Sequence, residues 1–254
     1  GRTVKVVPAP LEIRVEDWGE ACRAAEVILI ATPDAAIPAV AERLLGERCL
    51  SPRSSVLHLS GLLDRGALAA LAPTGAGLGS FHPLQTVADP ETAGERFQGA
   101  YAGVEGDANA LVAGEWLAER LGMTAVRLPA GAKAAYHAGA TIVANYTVAL
   151  MGMAVRLARS AGVPPELAGK IYLPLLHGAA VNLDRLAPQD ALTGAIRRGD
   201  AGTVAAHLAA LAPGDRRLYG AVGLEALALS RAAGLAEKSA AVLERLLTDA
   251  ATGR

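Results

Sequence analysis

Short apolar runs alternate with helical stretches through the first half of the chain. Residues 3–7, 12–15, 27–31, 55–59, 77–81, 98–105 and 125–128 read as strands. The run Val27-Ile-Leu-Ile-Ala31 is continuously apolar, as in a strand covered on both faces of a parallel sheet. Helical stretches fall at 16–25, 35–45, 61–71 and 109–121. This alternation predicts a doubly wound parallel α/β sheet with right-handed crossovers. Beyond Pro129 the strand pattern ends. A long helix is expected over 132–161, stopped by Gly162 and Pro164-Pro165, and only helices follow. The last shows Val242, Leu243, Leu246 and Leu247 on one face. Two domains follow from the change in pattern, an α/β domain over 1–129 and an all-helical one over 130–254.

Composition narrows the function classes. The 254 residues are 52% hydrophobic and 19% charged, which excludes a disordered chain. Lys and Arg number 24 against 25 Asp and Glu, so no basic excess draws the chain to a phosphate backbone. Aromatic residues are only 4%, too few for stacking platforms on single strands. Nucleic acid is therefore not an expected partner. Cys22 and Cys49 form no metal-like spacing and read as small buried residues of a reduced, cytoplasmic protein; no metal site is expected. Residues 134–155 lack any Asp, Glu, Lys or Arg and are about long enough to span a bilayer. They include Tyr136, His137, Asn145 and Tyr146, costly against lipid, so a buried helix of a soluble protein is expected, without membrane contact.

Ligands of open α/β sheets bind beyond the carboxyl ends of the strands. Three such ends carry polar residues. Thr32, Pro33 and Asp34 close the run at 27–31, where Asp34 can alternatively cap the next helix. Ser60 and Gly61 close the next strand, and His82-Pro83 the third. A histidine there can exchange protons near neutral pH. His58, inside its strand, reads as a core residue. Gly75-Ala-Gly-Leu-Gly79 precedes a strand instead of following one, so it is not the dinucleotide fingerprint. On the long helix Lys133, His137, Thr141 and Asn145 recur every four residues and form one slanted polar stripe. They either bond internally or face a site, with His137 as a general acid and Asn145 orienting a carbonyl or imine. Late in the chain Thr193 and Arg198 are candidates for holding a carboxylate, and Asp200 for capping a helix.

The series ATPDAAI, HLSGLL, GSFHPLQT, AAYHAGATIVANYTVAL and ALTGAIRRGD resembles a bacterial family in which a Rossmann-like domain precedes a helical domain of unknown function, number 2520. The resemblance runs from about Glu20 to Gly234. It departs at Ala195, where the family usually has proline. The family is similar in architecture to pyrroline-5-carboxylate reductases and to dehydrogenases with a 6-phosphogluconate-dehydrogenase-like helical domain. Ser60 and His82 also match the order of a serine and a His-Pro in prephenate dehydrogenases.

What the resemblance implies is an oxidoreductase using NADP or NAD on a small carboxylated imine, ketone or alcohol. Thr32, Pro33, Asp34 and Gly61 would lie against the cofactor. Ser60, His82, Lys133, His137 and Asn145 would form the catalytic set, and Thr193 with Arg198 would hold the substrate. A homodimer through the helical domain is expected. The strand, glycine-rich turn and helix that open the family's members are not found, so the α/β domain is expected to be N-terminally incomplete. A non-catalytic dimer that senses a nucleotide or metabolite is the alternative.

Overall fold

The computed structural model describes residues 18–87 and 94–254. The strands expected at 3–7 and 12–15 lie outside the described residues. The chain divides into two units, Gly1–Thr147 and Val148–Arg254.

In the first unit, α1 (Trp18–Ala24) leads into β1 (Val27–Ile30), followed by α2 (Ile37–Gly46) and β2 (Ser55–His58). A 3-10 helix over Arg65–Thr74 then precedes β3 (Gly77–Leu84). β4 (Tyr101–Gly106), α3 (Ala108–Arg120) and β5 (Thr124–Arg127) complete the sheet, whose strands lie in sequence order. The expected α-helix after β2 is this tighter 3-10 helix, with Asp64 capping Gly66 N–H and Pro73 near its end.

The sheet is mostly parallel, as expected, with one reversal. β1–β2, β2–β3 and β4–β5 are parallel, but β3 and β4 are antiparallel, with His82 opposite Gly103. A parallel return needs a crossover, usually a helix. Among the described residues between β3 and β4 only a 3-10 turn at Glu95–Phe97 occurs, and the chain comes back beside its own strand.

Both faces of the sheet are covered. Val56 and Leu78 pack with Ile37, Leu44 and Leu68 on one side. Leu57 and Phe81 pack with Ala110 and Leu117 of α3 on the other. This alternation explains why β2 is buried throughout. Gly77 and Gly79 serve this packing: a side chain at Gly77 would meet Asn109, and one at Gly79 would meet the Glu105 carbonyl. Cys22 and Cys49 are free and buried, as expected.

The helix Lys133–Ser160 comprises α4 (Lys133–Thr141), a π-helical turn over Ile142–Tyr146, and α5 (Thr147–Ser160), the last in the second unit. It is long and apolar enough to cross a membrane by length and composition. The expectation of a buried helix is not met within the chain: only 6% of its most apolar stretch is buried.

The second unit is helical throughout its regular structure: α6 (Pro165–Ala168), α7 (Leu173–Leu183), α8 (Pro188–Ala191), α9 (Ala195–Arg198), α10 (Ala201–Ala210), α11 (Pro213–Ala232) and α12 (Glu237–Thr252). Its core joins Val204, Leu208, Leu227, Leu243 and Leu247 from α10, α11 and α12. Gly220 and Gly223 let α11 approach α12, where side chains would strike the Leu247 carbonyl and side chain. Asp200 caps α10, accepting from Thr203 N–H at 2.9 Å.

Candidate functional site

The carboxyl ends of β1 and β2 are tied together by one hydroxyl. Ser60 Oγ donates to Asp34 Oδ2 at 2.8 Å and accepts from the backbone N–H groups of Leu62 and Leu63. Asp34 therefore does not cap the following helix; its carboxylate reaches across to the next strand end instead. The Ser60 hydroxyl is committed as donor and as acceptor. Thr32 and Pro33 are exposed beside it.

Beneath these ends lies Lys133, only 2% exposed. Its Nζ donates to the Ser60 carbonyl at 2.6 Å and to Ser80 Oγ at 2.9 Å. The first residue of α4 is thereby pinned to the end of β2 and the middle of β3. Burial pushes the ammonium down to about 8, against the opposing pull of Glu105, Asp34 and Asp64. Lys133 does not line the neighbouring cavity, so the four-residue stripe divides into one buried member and three that face open space.

That cavity, about 900 Å³, is lined by residues of β3, the segment after it, α4 and the π turn. Its polar lining comprises His82, Gln85, Thr86, Tyr136, His137, Thr141 and Asn145. Val87, Val143 and Ala144 add apolar wall. Asn145 lies within the π turn and lines the cavity together with His137 and Thr141.

His82 and His137 meet edge to face, with ring centroids 5.6 Å apart and planes at 79°. Both rings press on Gly61. A β-carbon there would collide with His137 Nδ1 and lie 2.9 Å from His82 Nε2. The absence of a side chain at position 61 is what lets the two imidazoles come together. His137 Nδ1 is buried without a hydrogen-bond partner. His82 Nδ1 meets Tyr136 Oη at 3.2 Å. Burial holds His82 down to about 4; the Lys133 ammonium and the neighbouring His137 push the same way, and Asp34 opposes them. His82 is neutral at physiological pH.

The structure thus brings together six of the expected residues in the first unit: Asp34, Ser60, Gly61, His82, Lys133 and His137. Asn145 joins them on the cavity wall. Thr193 and Arg198 belong to the second unit, where both are exposed, flanking Gly194 at φ 92° and the short α9. His58 is fully buried with Nε2 at 2.9 Å from the Asp64 carbonyl, the core role expected of it. Among the described residues no cluster of three His, Cys, Asp or Glu side chains offers a metal site.

Sequence reasoning missed Tyr136 and Ser80 as members of the site. Tyr136 stands three residues after Lys133, on the same helical face, and that spacing was a usable signal. Ser80 lies two residues before His82, so both point to one side of β3.

A family model described as a domain of unknown function, DUF2520, matches residues 100–226. No protein of curated function matches the sequence. Among solved structures the chain is similar to protein TM1727 from Thermotoga maritima, at 26% identity and a TM-score of 0.60, covering 90% of this chain and 79% of that one. It is also similar to BF3122 from Bacteroides fragilis, named as a candidate NADP oxidoreductase, at 20% identity and a TM-score of 0.62, covering 80% and 75%. Plasmodium falciparum pyrroline carboxylate reductase, solved with NADP bound, follows at 12% identity and a TM-score of 0.53, covering 92% and 79%. The shared fold is a Rossmann-like sheet with a helical domain after it.

Proposed function

The chain belongs to the family described as domain of unknown function 2520, and from that membership together with the site's geometry we propose that it is an NAD(P)-dependent oxidoreductase. Its substrate is a small carboxylated ketone, alcohol or imine. The observation that carries the reading is the meeting of His82, Tyr136 and His137 on one cavity wall beside the bound ends of β1 and β2. Carboxyl ends of strands are where such folds hold their ligands. The similarity to an NADP-bound reductase supports the same direction.

The strand ends suit a dinucleotide. Asp34 spends its carboxylate on Ser60, and Thr32 and Pro33 lie open at the surface. Thr32, Pro33 and Asp34 would hold the cofactor; Gly61, expected beside it, is buried and makes room for the His82 and His137 rings instead. When bound, the cofactor supplies or accepts the hydride. The chain's own residues do the rest. His82, neutral at physiological pH, hydrogen-bonds the reacting group. His137 moves the proton. Asn145 orients the substrate from the π turn. Ser60 and Lys133 act one step removed, fixing the strand ends and the start of α4. In the second unit Thr193 and Arg198 are proposed to hold a carboxylate, because a guanidinium matches its two oxygens.

A homodimer is part of this proposal. α7 buries none of its residues, and Leu175, Val181 and Leu183 are among the exposed large hydrophobics. Val143 and Val148 on the long helix are exposed as well. A second copy of the same chain covers these helices. Calorimetric titration of the full chain with NADPH and NADH tests the reading: binding of one or both is expected, and binding of neither overturns it.

A further inference from the structure

The wall of the large cavity is uniform in one respect, its charge. Among the described residues that line it there is no Lys, Arg, Asp or Glu. His82 is neutral at physiological pH. Lys133 is not part of the lining, and its ammonium donates to the Ser60 carbonyl and to Ser80 Oγ. An ionised group entering this space would give up part of its water and meet no opposite charge in return. That costs far more than burying a neutral polar group that finds a hydrogen bond.

Neutral partners, by contrast, are on offer. Gln85 and Thr86 are already engaged: the Gln85 amide donates to the Arg96 carbonyl, and its Oε1 accepts from the Thr86 N–H. Thr141 and Asn145 are not engaged. They line the cavity together, and among the described residues neither side chain has a hydrogen-bond partner. A hydroxyl and a carboxamide each donate and accept, so both suit a hydroxyl, carbonyl or amide. Val87, Ala140 and Ala144 supply apolar surface. At about 900 Å³ the space lies near the upper end of ligand pockets, about 300–1,000 Å³, and exceeds what a reacting carbonyl alone would fill.

Resting on the oxidoreductase reading, we infer that the part of the substrate held here is an uncharged, partly apolar body with a hydroxyl, carbonyl or amide set against Thr141 and Asn145, its single carboxylate staying off this wall. Phosphorylated and dicarboxylic compounds are thereby the wrong substrates. Their second anionic group would have to lie against Thr141, Asn145 or the alanines beside them, none of which neutralises it. Specificity comes from what the wall leaves out, a cation.

Proton NMR titration of the full chain, with no dinucleotide present, tests this with 8-hydroxyoctanoate and suberate, two probes of equal length that differ only in the group at one end. The hydroxy acid should bind more tightly, on the order of tenfold. Thr141→Lys, which puts a cation on the wall, should reverse the order. Suberate bound as tightly as the hydroxy acid by the wild type, or neither probe bound, overturns the inference, whether or not the variant folds. An unchanged order in folded Thr141→Lys overturns it too. A chain that binds no NADPH yet prefers the hydroxy acid loses the oxidoreductase reading alone, and one that binds NADPH but takes suberate equally well loses only this inference.

Discussion

The start of the long helix and the surface of α7 invert the usual rule of burial. At Lys133 a charged residue sits at 2% exposure, while Leu175 of α7 is 70% exposed. The difference lies in where the partners are. Lys133 has its acceptors within the same unit, the Ser60 carbonyl and Ser80 Oγ. A buried ammonium survives when its hydrogens are satisfied. Among the described residues none of α7 is buried. Eleven residues of mostly apolar sequence, none of them buried, form a contiguous surface of the kind that marks association. One region is complete as it stands, and the other is, in the proposed dimer, half of an interface.

The sharpest way to break this contrast is at Lys133. Lys133→Ala removes the donor to two buried acceptors and leaves a void at the end of α4. A loss of about 3 kcal/mol is expected in urea unfolding. Lys133→Met keeps the volume and removes the buried charge, so it should cost clearly less. Equal losses in the two variants would mean that the filled volume contributes little and that the cost lies in the lost hydrogen bonds to Ser60 and Ser80. Gly61→Ala comes next. The new methyl would strike His137 Nδ1, and relieving the clash pushes the two imidazoles apart. About 1–3 kcal/mol of stability should go, and NADPH affinity should fall with it in calorimetry.

How much of this was legible in the sequence depends on the reach of each interaction. The ends of β1 and β2 were legible because apolar runs stop at polar residues, as at Thr32 and Ser60; His82-Pro83, expected to close the third strand, instead lies inside β3, which pairs with β4 as far as Leu84. The antiparallel turn between β3 and β4 was not, since direction depends on the path of the connecting chain, which carries no periodic signal. Asp34 read as a helix cap because capping is local; its actual partner Ser60 is 26 residues away. Lys133, His137, Thr141 and Asn145 were visible as a stripe. Which member turns inward was not, because the acceptors for Lys133 come from two other elements. Gly103 was unremarkable in one dimension, and Gly61 read only as a strand-end turn beside a cofactor. Their meaning is the space they leave for His82, His137 and Tyr136, which only packing reveals.

The exposed side of the contrast is tested at α7. Leu175→Glu places a charge in the centre of the proposed contact. Analytical ultracentrifugation should find the wild type dimeric, and the variant weakened by about thirtyfold, equivalent to about 2 kcal/mol. The thermal transition of the variant at high dilution should match that of diluted wild type. A wild type that sediments as a monomer removes the dimer proposal and leaves α7 to some other cover.

The smallest effect expected is that of pH on the buried side, and its direction is fixed by His82. In the unfolded chain this imidazole has its ordinary value of 6.5, and in the fold burial holds it at about 4. Between those values the unfolded state binds a proton that the folded state refuses. Stability therefore falls as pH is lowered from 6.5 towards 4, and flattens below that. Part of the ring is open to the cavity, so screening trims the effect to on the order of 1 kcal/mol. Lys133 acts in a separate window. Its folded value of about 8 lies below the unfolded 10.5, so its contribution makes the protein more stable as pH rises from 8 to 10.5. His82→Gln removes the acid-side slope and leaves the alkaline one, whereas Lys133→Met does the reverse. Urea unfolding across both windows separates the two. If His82→Gln kept the full acid-side slope, the slope would belong to another group, and the neutral imidazole assigned to the cavity wall would lose its thermodynamic support.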